Sequence, residues 1–258
     1  MYENISEDYD RFNNWQARLS YEMPFLEKQL ETLTFNHGKV AKILDTACGT
    51  GMHAIALAQK GFQVKGTDKY EEMVSKAYKN AEAFGVQIDF HSAGFGELTQ
   101  TFGSNSFDSL LCLGNSLPHV LSVAELKNTL EDFNHTLKPG GLLIIQNRNF
   151  DKILEMHSRW MDPQAFTERP FEWVFQRFYD FEENGLIRFN MITLKRAKGE
   201  SWQTKMNSTL LMPIMAYELI TQLRECGFNA ISTFGSLKGD LFNSKESENL
   251  VVTAQKQP

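Results

Sequence analysis

Residues 43–68, ILDTACGTGMHAIALAQKGFQVKGTD, decide the fold. The apolar run from Ile43 to Ala47, broken only by Asp45 and Thr46, predicts a short buried strand. Gly49 and Gly51 follow, and glycines at such a turn let bare backbone approach a ligand closely. The pattern then predicts a helix from about Met52 to Lys60, ended by Gly61 as a left-handed cap. A second strand, Phe62 to Thr67, stops at Asp68. A carboxylate about 20 residues past the glycines is positioned to take the two hydroxyls of a ribose. The expected ligand therefore carries an adenosine. A helix N-cap is a second, compatible role for Asp68, because Asp68-Lys69-Tyr70-Glu71 has capping-box spacing.

Composition narrows the function classes. The chain has 258 residues, enough for one large domain or one domain with an insertion. Its 42% hydrophobic and 22% charged residues are those of an ordinary water-soluble globular protein. A net charge of −6 disfavours nucleic acid as a partner, since that affinity comes from neutralising phosphates. No apolar run approaches the ~20 residues of a membrane span, so no membrane partner is expected. The opening MYENISEDYD is acidic and polar, unlike a secretory signal. Cys48, Cys112 and Cys226 are scattered and odd in number, which points to a reducing cytoplasm. The six histidines form no pair at metal-ligand spacing, and no metal site is expected. No internal repeat is visible.

Two cofactor classes fit the glycine turn. Gly49, Gly51 and Ala54 satisfy the loose nicotinamide pattern G-x-G-x-x-A, which is weak evidence alone. The rival is S-adenosylmethionine. An apolar pair, Asp45, two small residues and then Cys48-Gly49-Thr50-Gly51 resemble the first motif of class I methyltransferases. An acid four residues before the first glycine is not usual in dinucleotide folds, so the resemblance favours S-adenosylmethionine, with S-adenosylhomocysteine as its product. It implies an α/β fold: a doubly wound, mostly parallel seven-stranded sheet of the Rossmann-like methyltransferase type. By that resemblance Asp45, Ala47, Gly49, Gly51 and Asp68 contact the cofactor.

The rest of the chain can be placed on that frame. Residues 1–35 read as a helical N-terminal lid in which Trp15, Leu19, Phe25, Leu26 and Leu30 recur at roughly helical spacing. Pro24 is expected to start or kink a helix rather than sit inside one. A helix from Tyr70 to Phe84 carries Met73 on its apolar face, and a third strand runs from Val86 to His91. Met73 is most simply core, although the fold often packs a residue at this place on the adenine. Ala93-Gly94-Phe95 lacks the acid that methyltransferases often place there. The backbone of Gly94 and the ring of Phe95 are the expected substitutes. Phe107 to Leu113 is a buried fourth strand, with Leu113 at its ligand end. Ser122 to Glu125 is a capping box opening a helix that ends near Leu137. Lys138-Pro139-Gly140-Gly141 reads as a turn before a fifth strand, Leu142 to Gln146. Phe171–Phe181, Leu186–Arg196 and Ser201–Leu211 read as three antiparallel strands, with Asn184-Gly185 as a hairpin turn. Helix Met215 to Cys226 and strands Phe228–Thr233 and Asn249–Thr253 complete the sheet. The expected division is 1–35 as lid, 36–151 with 213–258 as catalytic domain, and 152–212 as a small antiparallel β insert covering the substrate.

Three stretches resemble one family more narrowly. Trp15, Arg18, Glu22 and the Phe25-Leu26 pair are similar to the entry segment of glycine and sarcosine N-methyltransferases. LCLGNSLPHV, Leu111 to Val120, resembles their L-G-N-S-x-x-H segment, and NRNFDKIL, Asn147 to Leu154, their R-N-[YF]-D-x-I-L segment. The resemblance covers about two-thirds of the chain and is weak across the insert. It implies that Arg18 reaches the methionine carboxylate of the cofactor, that Trp15 and Tyr9 close over the site, that Arg148 pairs with the substrate carboxylate, and that Asn115 helps hold the substrate. The alternatives are core or surface packing for Tyr9, Trp15 and Arg18, a salt bridge from insert to sheet for Arg148, and a loop Asx-turn for Asn115. His119 reads as a structural histidine, with substrate contact as its alternative. No acid–base pair is assigned. The expected activity is methyl transfer to a small-molecule amine of the glycine/sarcosine type. O- or C-methylation of another small metabolite, or non-catalytic binding of the cofactor, stand as alternatives. The acceptor and the oligomeric state are not legible.

Overall fold

A computed structural model describes residues 6–37 and 40–258. The first five residues of the expected 1–35 lid lie outside the described residues. Seven strands form the main sheet: β1 (Lys42–Thr46), β2 (Gln63–Asp68), β3 (Asp89–Ser92), β4 (Phe107–Cys112), β5 (Leu137–Arg148), β10 (Phe228–Phe234) and β11 (Asn249–Lys256). Their order is β10-β11-β5-β4-β1-β2-β3. β1 pairs in parallel with both β2 and β4, while β11 runs antiparallel to β5 and to β10. This is the mostly parallel, doubly wound sheet that the methyltransferase resemblance implies. The chain reverses its winding between β1 and β4, and ligands bind outside the carboxyl ends of strands at such a point.

Both faces of the sheet are covered, which explains the unbroken apolar runs in its strands. Side chains alternate along each strand. Ile43, Leu111, Ile144 and Val251 join one core, with Leu26 and Leu30 of α2 (Trp15–His37), Ile55 and Leu57 of α3 (Met52–Gln59) and Ala77 of α4 (Glu71–Ala83). Leu44, Leu110, Leu143 and Val252 join the other, with Leu130 and Phe133 of α6 (Val123–Thr136) and Leu219 of α8 (Ala216–Glu225). Each of these side chains except Ala77, 1% exposed or less, contributes roughly 1.5–3 kcal/mol. The short helices α1 (Ser6–Phe12), α5 (Leu98–Phe102) and α7 (Phe150–Glu155) complete the set. Among the described residues no helix is long and apolar enough to cross a membrane.

Several expectations need correction. Pro24 sits inside α2. It leaves the Ser20 carbonyl without a helical donor, but Ser20 and Pro24 are both exposed, so water is available to that group. Asp68 is not the N-cap of α4; that position is Tyr70. The third strand begins at Asp89 rather than Val86. Lys138 to Gly141 is a bulge within β5 and not a turn before it, because Leu137 pairs with Phe107 and Leu142 with Ser109. Gly140 has φ +74°, and a Cβ on Gly141 would lie 2.8 Å from the Lys138 carbonyl oxygen, so the bulge requires both glycines.

The insert has four strands, not three. The antiparallel meander runs β6 (Gln164–Glu168), β7 (Phe171–Phe181), β8 (Ile187–Ala197), β9 (Gln203–Leu211). Every residue of β6 is exposed, so it carries no apolar alternation to read. One stretch of this sheet turns Trp173, Phe175 and Met191 against Tyr9 and Phe12 of α1. Another packs Tyr179, Ile187 and Leu211 on Phe150 of α7.

Candidate active site

The turn after β1 is built from left-handed backbone. Ala47, Gly49 and Gly51 have φ of +54°, +56° and +80°. Asp68, at the end of β2, holds this turn: its Oδ2 accepts the Gly49 N–H at 2.9 Å, and its Oδ1 accepts the Tyr70 N–H at 3.0 Å. Asp68 is buried. Burial raises its carboxyl above the usual range, against the hydrogen bonds from the Tyr70, Gly49 and Lys69 backbone. The two bonds of ordinary hydrogen-bond length fall one on each oxygen, and a carboxylate has acceptor capacity beyond them for hydroxyl donors.

A cavity of about 970 Å³ opens above this turn. Gly49, Ala47 and Asp68 form its floor residues, Met73, Gly94 and Phe95 line it further along, and Tyr9 closes one side. Met73 is 1% exposed and Phe95 stands edge-on to Phe133 at 5.7 Å. Glu97 also lines this wall and accepts the Gly94 N–H at 2.7 Å, so a carboxylate does reach the region where the sequence shows no acid at the strand end. The cavity's size, its carboxylate beside a glycine turn and the apolar side chains of Met73 and Phe95 further along fit S-adenosylmethionine.

Four expected cofactor residues lie behind these walls. A Cβ on Gly51 would meet Phe90 at 2.9 Å and Ala77 at 3.0 Å, and its φ is +80°, so core packing and backbone conformation already demand this glycine. Leu113 is buried in the same core. Asp45 is 2% exposed and lines neither this cavity nor its neighbour. Trp15 stands edge-on to His53 at 5.5 Å and donates from Nε1 to Asp10 Oδ1 at 2.9 Å.

A second cavity, about 300 Å³, adjoins the first; Tyr9, Gly114 and His119 belong to both walls. Arg18, Asn115, Arg148, Arg177 and Tyr179 line it. Asn115 adopts φ +63° and its Oδ1 accepts the Arg148 N–H at 2.8 Å, which ties the loop after β4 to the end of β5. That bond joins the ends of two neighbouring strands and is not an Asx-turn. The Arg18 guanidinium lies 5.0 Å from the Trp15 ring centroid and pairs with Glu22 at 2.9 Å. Glu22 also meets His53 Nε2 at 2.5 Å. Burial works to raise the Glu22 carboxyl, but His53 and Arg18 outweigh it and hold the group low. His119 is pushed down to about 4 by burial and by nearby Lys69, so it adds no positive charge at the junction of the cavities.

Sequence reading missed Asp10, His53, Arg177 and Tyr179. Arg177 and Tyr179 follow Trp173 and Phe175 at alternate positions of β7, so the period of two was the available signal. Asp10 gave none, being one acid in an acidic segment. Among the described residues no three His, Cys, Asp or Glu side chains cluster as a metal site.

Comparison with known proteins agrees with this geometry. Residues 43–141 match a family model described as a methyltransferase domain. A glycine/sarcosine N-methyltransferase of Aphanothece halophytica is 33% identical over 203 residues, covering 75% of this chain and 74% of that one. Another, from Parasynechococcus marenigrum, is 27% identical over 252 residues, covering 93% and 80%. The solved structure of an S-adenosylmethionine-dependent methyltransferase from Clostridium acetobutylicum superposes with a TM-score of 0.77 at 17% identity, over 100% of this chain and 99% of that one, and shows the shared fold.

Proposed function

This chain belongs to the glycine/sarcosine N-methyltransferase family of S-adenosylmethionine-dependent methyltransferases, and we propose that it methylates the amine of a small α-amino acid held through its carboxylate by Arg148. Glycine and sarcosine are the simplest members of that class. The observation that carries the reading is the Asn115–Arg148 bond of 2.8 Å in the wall of a cavity that adjoins the larger one.

When bound, the cofactor supplies an electrophilic methyl group on a sulfonium. The residues around it bind, aim and exclude water. Asp68 accepts the ribose hydroxyls on its remaining lone pairs, Met73 and Phe95 cover the adenine, and the Gly94 backbone borders it. Arg18, backed by Trp15 and Glu22, takes the methionine carboxylate. Gly49 and Ala47 bring backbone to the cofactor, and Gly51, Asp45 and Leu113 hold that wall from behind. Tyr9 closes the junction. Arg148 grips the acceptor carboxylate with its two-pronged fork, which fixes the amine relative to the methyl group. Asn115 holds the Arg148 backbone and keeps its amide NH₂ for the acceptor. With the cofactor bound, the carbon–sulfur bond would break as the neutral amine's new carbon–nitrogen bond forms, and the surplus proton would go to solvent. No general base is required. Charge disperses in this step, so a dry pocket does not penalise it.

Lysine at position 148 keeps the charge but loses the fork. Arg148→Lys is expected to lower methyl transfer at least tenfold while calorimetry finds unchanged affinity for S-adenosylhomocysteine. Turnover near that of the wild type would refute the role of Arg148.

A further inference from the structure

The second cavity holds more positive charge than a monocarboxylic acceptor can offset. Arg18, Arg148 and Arg177 all line it, and among the described residues the one carboxylate in its wall is Glu22, already engaged with Arg18 at 2.9 Å and His53 at 2.5 Å. Among the described residues, Arg148 and Arg177 have no carboxylate within ion-pair distance. Arg177 is the less satisfied of the two. Its Nε is buried without a hydrogen-bond partner, and its guanidinium lies 4.6 Å from the Phe12 ring centroid. Burial and the charge of Arg148 push it down to about 10, while Tyr179 and Asp162 act in the opposite direction. Asp162 lines the neighbouring cavity that Arg148 and Arg177 also border; the Glu248 carboxylate there is taken by Lys152 at 2.5 Å.

Two guanidinium ions drawn partly out of water repel each other, and a buried charge is tolerated when something pairs with it. An arginine that served only the architecture of β7 would place its donors on a carboxylate or carbonyl. Arg177 instead has a buried Nε donor with no acceptor among the described residues. An acceptor with one carboxylate neutralises Arg148 and leaves Arg177 as it is. A second acidic group neutralises both. The volume of about 300 Å³ lies at the lower end of the roughly 300–1,000 Å³ range of small-molecule sites, which leaves room for an amino acid larger than glycine.

We propose that the preferred acceptor is an α-amino dicarboxylic acid, with its α-carboxylate on Arg148 and its side-chain carboxylate on Arg177. This rests on the reading above, in which Arg148 takes the α-carboxylate. It makes Arg177 the residue that sets specificity within the class.

The test titrates L-aspartate, L-glutamate and glycine calorimetrically into the full-length protein loaded with S-adenosylhomocysteine, and follows methyl transfer to the same three compounds. At least one dicarboxylate is expected to bind ten times or more tighter than glycine. Arg177→Gln is expected to abolish that preference, and Arg177→Lys, which keeps the charge, to restore part of it. Equal affinity of wild-type protein for glycine and both dicarboxylates overturns the proposal without recourse to any variant. So does a preference that survives Arg177→Gln. If a dicarboxylate binds through Arg177 but receives no methyl group, the pocket assignment stands and the methylation reading falls. If glycine is methylated with no dicarboxylate preference, this inference alone falls.

Discussion

Asp45 and Asp68 flank the same glycine turn and are set apart by what touches them. Asp68 receives two backbone N–H groups and lines the larger cavity, whereas Asp45 is sealed in the core with its Oδ2 unpartnered. Burial pushes Asp45 up to about 6, opposed by His53 and the Ala54 backbone and assisted by Asp68. A carboxyl with a raised pKa binds its proton more tightly in the folded state. Its stabilising effect is therefore complete below the unfolded value near 3.8 and is lost as pH rises through about 6. That difference is on the order of 3 kcal/mol. Asp45→Asn should remove it. Urea titrations of the ligand-free protein are expected to show the variant gaining on the wild type by on the order of 3 kcal/mol between roughly pH 4 and pH 7. A gap that does not change with pH would mean that Asp45 does not titrate in this window. Gly51 shows the limit of reading residues by motif. The pattern correctly demands glycine, but the space that excludes a Cβ belongs to Phe90 and Ala77, which no local spacing could reveal.

One carboxylate ties helix α1 to the main domain, while the helix's Tyr9 and Phe12 pack on the antiparallel sheet. Asp10 accepts from Thr50 Oγ1 at 2.6 Å, from Trp15 Nε1 at 2.9 Å and from Asn80 Nδ2 at 3.1 Å, joining α1 to the glycine turn, to α2 and to α4. These bonds keep Tyr9 beside Gly49, where a Cβ would touch its ring at 3.6 Å. Bonds to a charged group contribute about 1.5–3 kcal/mol each. Asp10→Ala is expected to weaken S-adenosylhomocysteine binding at least tenfold, measured by calorimetry, while the main sheet melts at nearly the wild-type temperature. Unchanged affinity would show that α1 does not act as a lid. Elements differed in how far the sequence disclosed them, for physical reasons. Strands buried on both faces, such as β1, β4 and β11, stand out as apolar runs, and β7 for part of its length by alternation. β6 left no trace because it buries none of its residues and takes its place from pairing with β7. The bulge in β5 looked like a turn because its glycines and proline are those a turn would use.

At the scale of the whole molecule, two cavities meet where three parts of the chain converge. The parallel sheet supplies Asp68 and Arg148, α1 supplies Tyr9, and the antiparallel sheet supplies Arg177 and Tyr179. The cofactor side was legible because a single continuous stretch, residues 43–68, encodes strand, turn, helix and acid together. The acceptor side was legible only where a family segment repeats, at Asn115 and Arg148; its remaining wall comes from strands that the fold brings in from far along the chain. Methyl transfer itself tests the account most directly. The protein is incubated with S-adenosylmethionine carrying an isotopically labelled methyl group, together with α-amino acids, including glycine, sarcosine and aspartate, amines that lack a carboxylate, and phenols, and the labelled products are identified by mass spectrometry. The account predicts label on the nitrogen of one or more α-amino acids and none on the other compounds. Label on a phenol oxygen, on carbon or on an amine without a carboxylate, or no transfer to any amino acid, would contradict it.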